Sequence, residues 1–416
     1  MEDRLAAAGL PPLPRTAWAE IDLPALTGNL AVLRRLAGAG TPIHPVVKGN
    51  AYGHGAIEIA QALEDAGVDG LCVATIDEAL ALRRAGMEVP ILVLFPVPSA
   101  LAGAAARERI AVTASDPALL DALLDALAAG LPELPLEVHL EVETGLGRGG
   151  FDLASIVAAG RRLAESNAAH VAGAWTHFQA PEDLARTSAQ STRFAEATDA
   201  LAAAGIEVPR RHAAASGGLL LGNVASLDGV RPGLALYGLV PDGLGRAGTP
   251  ATAPGAEDLR PILALYARPV RVAEVPAGWG ISYGPSFTTS RPSRIATLPL
   301  GYGDGWSRSL ANRASALVRG GRVPLVGNVA MDAVMADVTD VPGPPVGVDD
   351  EFVLIGAQGE EAITVGAVAD ERGTNAWEVV TNLSARLPRV YHAASVPRQT
   401  RTLVVDEVGD RRPTRP

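Results

Sequence analysis

A chain of 416 residues has core volume for two or three domains, and 48% hydrophobic with 19% charged residues describes a folded globular protein, not a disordered one. A formal net charge of −11 gives no global field for nucleic acid or anionic lipid, and no apolar run reaches membrane-spanning length. The opening "MEDRLAAAGLPPLPRTAW" lacks the basic and apolar regions of a secretory signal, and a single cysteine, Cys72, cannot close an intrachain disulfide, so the chain reads as cytoplasmic.

From about residue 18 to 240, short β-rich runs alternate with alanine- and leucine-rich amphipathic runs. In chain order the strand-like pieces are "WAEIDL", "IHPVVK", "GLCVAT", "ILVLF", "IAVTA", "LEVHLEVE", "HVAGAWT", "RRHAAAS" and "DGVRPG". Helical stretches such as "AIEIAQALEDAG" and "DPALLDALLDALAAG" lie between them. Such alternation argues for a parallel sheet, and about eight βα units argue for a closed (β/α)8 barrel of TIM type more than an open sheet. The stretch "PDGLGRAGTPATAPGAED" at 241–258 has no periodicity and reads as a linker. Beyond it β-like runs dominate, and only "TVGAVADERG" and "NAWEVVTNLSARL" look helical. The predicted division is an α/β barrel over 16–250 and a mainly-β domain over 256–405, with "GDRRPTRP" a disordered tail.

Lys48, at the end of "IHPVVK", is the only lysine among 35 Lys and Arg residues. Arginine can replace lysine as a charge, but not as an amine that deprotonates and attacks a carbonyl. In a βα barrel the C-terminal ends of strands line the active face, so Lys48 is a candidate nucleophile or Schiff-base former. Tyr52 can reach the same mouth, whereas His54, between two glycines, reads as a residue that orders the turn. "LEVHLEVETG" places His139, Glu141 and Glu143 on one face of a strand and runs into "GLGRGG" at 145–150. That run matches G-x-G-x-x-G, but the preceding strand carries inward polar groups and lies mid-chain, which argues against a dinucleotide site. The alternative is that the glycines present Arg148, with Glu141 as its anionic partner, a pair that could equally be structural.

His177, ending "HVAGAWT", reads as a hydrogen-bonded structural residue when taken alone. Ser216 opens a short helix in "AASGGLLL", and Gly233 and Leu234 offer backbone amides just after Arg231 in "VRPGLALYG". Two such anion cradles on the last barrel strands match the usual phosphate position in this fold. A lysine amine beside a phosphate site suggests a Schiff-base enzyme with pyridoxal 5'-phosphate, or an aldolase using the lysine directly on a sugar phosphate. No HExxH, paired CxxC or carboxylate cluster points to a metal.

Together these motifs resemble the alanine racemase family. "VVKGNAYGHG", "ETGLGRGG", "THF", "VRPGLALYGL", "GISYGPSF", "LPLGYGDGW" and "VGNVAMD" occur in family order, from "AWAEIDLPALTGNL" to "RLPRVY" near residue 391. The resemblance implies a fold-type III pyridoxal phosphate enzyme, a barrel plus a β-domain, working as a head-to-tail homodimer that supplies D-alanine for peptidoglycan. Lys48 would hold the cofactor covalently and act as one base; Tyr283 would be the other, reaching the site of the other subunit. Arg231 would face the pyridine nitrogen, backed by His177, while Tyr52, Ser216, Gly233 and Leu234 would hold the phosphate. Arg148 would touch the cofactor and the substrate carboxylate, the Met331 N–H would bind that carboxylate, and Tyr302 would line the way in.

Departures from the family pattern are concentrated in a few residues. Glu141 stands where many members carry a carbamylated lysine, and Ala215 where asparagine is common. Trp377 replaces a tyrosine, Asn375 an aliphatic residue, and Asn328 an arginine on the way in. These changes bear on substrate range, so a serine or broad-specificity racemase is the alternative. A non-enzymatic cofactor carrier and a decarboxylase of the same fold are further rivals.

Overall fold

The computed structural model describes residues 1–130, 132–244 and 251–403. The chain forms two compact units, one of Ala25–Pro261 and one of Met1–Pro24 with the chain from Ile262 on. "WAEIDL", read above with the barrel strands, becomes β1 (Ala17–Asp22) of the second unit. It pairs there with strands from the C-terminal part of the chain. Four of its six residues are buried, and such an apolar run carries no mark of the sheet it will join.

The first unit is built on β2 (Leu71–Val73), β3 (Ile91–Val93), β4 (Ile110–Ala114), β5 (Leu136–Glu141), β6 (Ala169–Trp175) and β7 (Arg211–His212). These six lie parallel in sequence order. Two short segments complete the ring, through parallel bridges Val46–Cys72, Ile43–Val230 and Ala215–Arg231. The N–H of Val47 donates to the Cys72 carbonyl at 2.8 Å, that of His44 to Val230 at 2.9 Å, and that of Arg231 to Ala214 at 2.9 Å. The eight strand positions expected of the barrel are therefore present. Two are reduced to bridges because Pro42, Pro45 and Pro232 have no N–H to give the ladder. Helices on the outside start at clear caps: the Thr75–Glu78 capping box, then the Asp116, Asp152 and Asp183 carboxylates at later helix starts.

The unit ends at Pro261, later than the predicted boundary. Buried Asn29 receives the Arg260 N–H at 2.9 Å and donates to the Arg260 and Leu236 carbonyls at 2.8 and 3.0 Å, which ties residue 260 to the barrel. Residues 245–250 of the predicted linker, the end of the predicted second domain and the tail lie outside the described residues.

The second unit is mainly β, as expected. Its strands are β8 (Leu263–Ala267), β9 (Arg271–Val275), β10 (Ser293–Leu298), β11 (Ser315–Val318), β12 (Gly321–Val326), β13 (Val334–Asp337), β14 (Phe352–Gln358), β15 (Glu361–Ile363), β16 (Arg389–Ala393) and β17 (Val396–Arg401). They run β17-β16-β1-β8-β14-β11-β12-β13-β10-β9, with β15 paired to β14. The two stretches read as helical form helices Val365–Arg372 and Ala376–Thr381.

Inside the barrel, His44, His139 and His212 line a cavity of about 230 Å³ with Cys72 and Arg231. Burial holds His44 at about 4, and His139 and His212 well below the ordinary histidine value. Unfolded histidine takes up a proton near pH ~6.5. Below that pH the unfolded state binds more protons than the folded one, so stability falls as pH drops. His44 alone contributes a slope of up to ~1.4 kcal/mol per pH unit between about pH 6.5 and 4. Urea unfolding at pH 7, 6, 5 and 4.5 should show a steadily falling midpoint, and His44→Gln should flatten that fall; an unchanged slope would contradict the assignment.

Candidate active site

The barrel segment ending at Val47 delivers Lys48 to the strand-end face, and the chain then turns the wrong way round. Gly49, Asn50, Ala51, Tyr52 and Gly53 have φ of 61°, 56°, 53°, 52° and 82°. A left-handed turn costs a residue with a Cβ roughly 1–2 kcal/mol, so three non-glycines in a row need firm bracing. The Ala51 N–H donates to Val47 O at 2.8 Å, Gly53 to Gly49 O at 2.9 Å and Gly55 to Asn50 O at 2.9 Å. Asn50 Oδ1 accepts the Ala56 N–H at 3.0 Å, and the buried His54 donates from Nδ1 to Ala51 O at 2.8 Å. His54 orders the turn, as expected. Outside the turn, Glu78 Oε1 accepts the Gly49 N–H at 2.6 Å. Burial, and then Arg148, hold the Lys48 amine below the ordinary lysine value, with Glu78 pulling the other way.

The turn brings Tyr52 to Gly233. A Cβ on Gly233 would lie 2.5 Å from the Tyr52 hydroxyl oxygen, so a larger residue there would push Tyr52 aside. Ser216 Oγ accepts the N–H groups of Gly233 at 2.9 Å and Ala235 at 3.2 Å, and Leu234 starts the following 3₁₀ turn. Tyr52, Ser216, Gly233 and Leu234 thus share one cradle of hydroxyls and backbone amides.

Arg231 sits below this cradle, 3% exposed. Its Nη2 donates to Thr176 O at 2.8 Å and its Nη1 to His212 O at 2.8 Å; Nη1 also meets His212 Nδ1. The guanidinium lies over the Trp175 ring, 4.9 Å from its centroid. Burial lowers Arg231 to about 10, which still leaves it charged at neutral pH. His212 in turn meets His139, Nε2 to Nδ1, at 2.9 Å. The histidine backing Arg231 is therefore His212, not His177. Because Arg231 donates to His212 Nδ1, the proton of neutral His212 belongs on Nε2, where it donates to His139. His212 is missed by motif reasoning; the signal for it was its place on an inward-facing strand position beside Arg231.

His177 is nevertheless close to the charges of the site. Burial, then Arg231, Arg148 and Lys48, lower it to about 3, so it stays neutral. Arg148 pairs with Glu141 at 3.1 Å and lies over the rings of Phe95 and Trp175 at 5.3 and 6.0 Å. Burial raises the Glu141 carboxyl and Arg148 opposes that rise. Lys48, Arg148, His177 and Arg231 thus converge at the strand ends of one barrel.

The site residues expected of the second unit lie on its surface: Tyr283 is 80% exposed, Met331 53% and Tyr302 42%. The Tyr302 N–H donates to Ala330 O at 3.0 Å and the Gly303 N–H to Met331 O at 2.9 Å, joining the two segments. Beneath them the fully buried Asp304 binds Arg15 Nη1 at 2.6 Å and Arg386 Nε at 2.8 Å. Neither arginine was singled out from the sequence. Asn375 caps helix Ala376–Thr381, its Oδ1 accepting the Glu378 N–H at 2.9 Å, so the polarity it adds serves the helix start. Trp377, on that helix, is partly buried.

The barrel residues fit a phosphate-bearing aldehyde cofactor. The amine is of depressed basicity, the amide-and-hydroxyl cradle packs Tyr52 against Gly233, and a buried guanidinium, Arg231, lies on the same closing segment. Among the described residues no group of acidic, histidine or cysteine side chains suits a metal ion, and no helix is long and apolar enough to cross a membrane.

Comparison with known proteins identifies the family. Residues 21–241 match the model of the alanine racemase N-terminal domain, and residues 262–391 that of the C-terminal domain. An alanine racemase of Symbiobacterium thermophilum is 42% identical over 382 residues, covering 91% of this chain and 97% of the relative. The crystal structure of alanine racemase from Bacillus anthracis with bound L-Ala-P superposes with a TM-score of 0.86 at 32% identity, covering 94% of this chain and 98% of that one. Alanine racemase from Streptomyces coelicolor gives 0.81 at 36% identity, covering 90% and 98%. The chain belongs to the alanine racemase family and is an isomerase.

Proposed function

We propose that this chain interconverts L- and D-alanine with pyridoxal 5'-phosphate, using Lys48 and Tyr283 as two bases. The observation that carries the reading is the convergence of a depressed lysine amine, the Arg148–Glu141 pair, Arg231 and the Tyr52–Ser216–Gly233 cradle on one strand-end face. When bound, the cofactor supplies the electron sink that makes an amino acid's α-proton acidic.

Each residue then has a task. Lys48 and Tyr283 stand on opposite sides of the α-carbon; one takes its proton and the other returns one to the far face. Tyr52, Ser216 and the amides of Gly233 and Leu234 would hold the phosphate. Arg231 would be the donor to the ring nitrogen and would keep its own proton, which would favour return of the proton to carbon over transamination. Arg148, oriented by Glu141, and the Met331 N–H hold the substrate carboxylate, and Tyr302 lines the way in. Glu141 supplies without modification the anion that a carbamylated lysine would supply. The exposure of Tyr283 in the single chain supports a homodimer in which it serves the second copy's site. The presence of the whole C-terminal domain argues against a simple cofactor carrier. A cytoplasmic enzyme supplying D-alanine for peptidoglycan is the role proposed.

Five measurements test this. Purified protein given a panel of amino acids, read by chiral chromatography, should racemise alanine fastest; no isomerisation of any would refute the reading, and a preference for serine would move it to the alternative. Lys48→Arg should abolish activity and the visible absorbance of the bound cofactor. Tyr283→Phe should keep that absorbance and lose about a thousandfold in rate. Glu141→Gln should lower kcat/KM about tenfold by releasing Arg148. Activity of the native protein should not respond to bicarbonate, while Glu141→Lys should recover activity with it.

A further inference from the structure

Tyr283 is 80% exposed in its own chain, so its aim is set by the backbone more than by packing around the ring. That backbone is unusual. Ser282 has φ +66° and Gly284 φ +50°, so the chain passes through the left-handed region on both sides of Tyr283. For a serine this conformation persists only where neighbouring groups hold it.

Asn328 is the group that holds it. Its Nδ2 donates to the carbonyls of Tyr283 at 2.9 Å and Gly284 at 3.0 Å. Ser282 Oγ donates back to the Asn328 carbonyl at 2.6 Å. The neighbouring residue is anchored too. The Gly327 N–H donates to Asn312 Oδ1 at 2.6 Å, and Asn312 Nδ2 reaches Ser286 Oγ on the far side of the loop at 2.9 Å. Gly327 has φ +77°, and a Cβ there would come within 2.7 Å of the Ile281 carbonyl, so the two segments lie against each other. The base of the loop is closed by the Ile281 N–H donating to Phe287 O at 3.0 Å.

We infer that Asn328, with Ser282, is a positioning residue for Tyr283: its amide fixes the two peptide groups that follow the tyrosine, and the Ser282 hydroxyl on its carbonyl anchors the residue before it, so that the phenol leaves the loop in one direction. The inference rests on the reading of Tyr283 as the second base. Both donors of the Asn328 amide are spent on carbonyls of this loop, so the residue acts as a brace and not as a substrate-selecting side chain. A short neutral amide does this without placing a cation beside the phenol.

The decisive variant is Asn328→Asp, which keeps size and shape but turns a donor pair into a carboxylate facing two carbonyls. Amide hydrogen exchange at Ile281 and Gly327, whose N–H groups close the loop base on Phe287 O and Asn312 Oδ1, should quicken at least about tenfold. Racemisation kcat/KM should fall at least about tenfold, equally in both directions because the two enantiomers are equal in energy. The α-deuterium isotope effect should grow in the direction where Tyr283 takes the proton and shrink where Lys48 takes it. A merely structural role would lower both rates without separating the two isotope effects. Ser282→Ala should shift all three readouts the same way by less, and it decides the matter if Asn328→Asp does not fold. Exchange and isotope effects unchanged in the folded variants would overturn the brace. Tyr283→Phe run alongside separates the two levels: full activity there would remove the reading of Tyr283 itself, whereas lost activity beside a native-like Asn328→Asp would remove only the brace.

Discussion

The barrel is organised around a permanent charge held where water is scarce. Arg231 is 3% exposed, and removing an ion from water costs roughly several kcal/mol unless hydrogen bonds replace the lost solvation. Carbonyls of Thr176 and His212 supply two of those bonds, and they come from the ends of β6 and β7. The closing segment that carries Arg231 is itself only a bridge, so the side chain is pinned more firmly than its strand. His212 and His139 remain neutral because a second charge beside the first would be penalised twice, by burial and by repulsion. Burial and the nearby guanidinium groups lower Lys48 and His177 as well, while Glu78 opposes the shift at Lys48 and Glu141 pairs with Arg148.

Around that charge the chain accepts backbone cost to bring groups together. The left-handed turn from Gly49 to Gly53 returns Tyr52 to the same mouth as Lys48 and seats its hydroxyl against Gly233. A right-handed helix starting at Lys48 would carry residue 52 onward, on the helix face above the lysine, instead of folding it back. His54 and Asn50 recover part of the cost through local hydrogen bonds. The same device recurs in the second unit, where Ser282 and Gly284 flank Tyr283 with positive φ and asparagine side chains secure the loop. Strained backbone thus accompanies both residues proposed as bases, in line with the tendency of strain to gather at sites of function.

Much was legible in the sequence because it depended on residue chemistry and short-range pattern. A lone lysine among arginines marks an amine whose reactivity no guanidinium can imitate. The alternation of β and α runs, the cradle around Ser216 and Gly233, the mainly-β second half and its two helices follow from local periodicity and turn chemistry. Ordered family motifs extended that to Tyr283 and Met331. The partners of these residues were less accessible, since a hydrogen bond between distant segments leaves no local trace.

Only the tertiary structure decided those partners. It gave Arg231 to His212 instead of His177, because the two strand ends bearing Arg231 and His212 meet across the barrel closure. It moved "WAEIDL" out of the barrel, because an apolar strand joins whichever edge its neighbours present. It spent Asn375 on a helix cap and Asn328 on the Tyr283 loop, where sequence alone cast both as changes to the substrate pocket. What the sequence by itself determined was which chemistry the chain can perform. Which residues hold that chemistry in place was decided by contacts between segments up to hundreds of residues apart, such as Arg15, Asp304 and Arg386, that form only when the chain is folded.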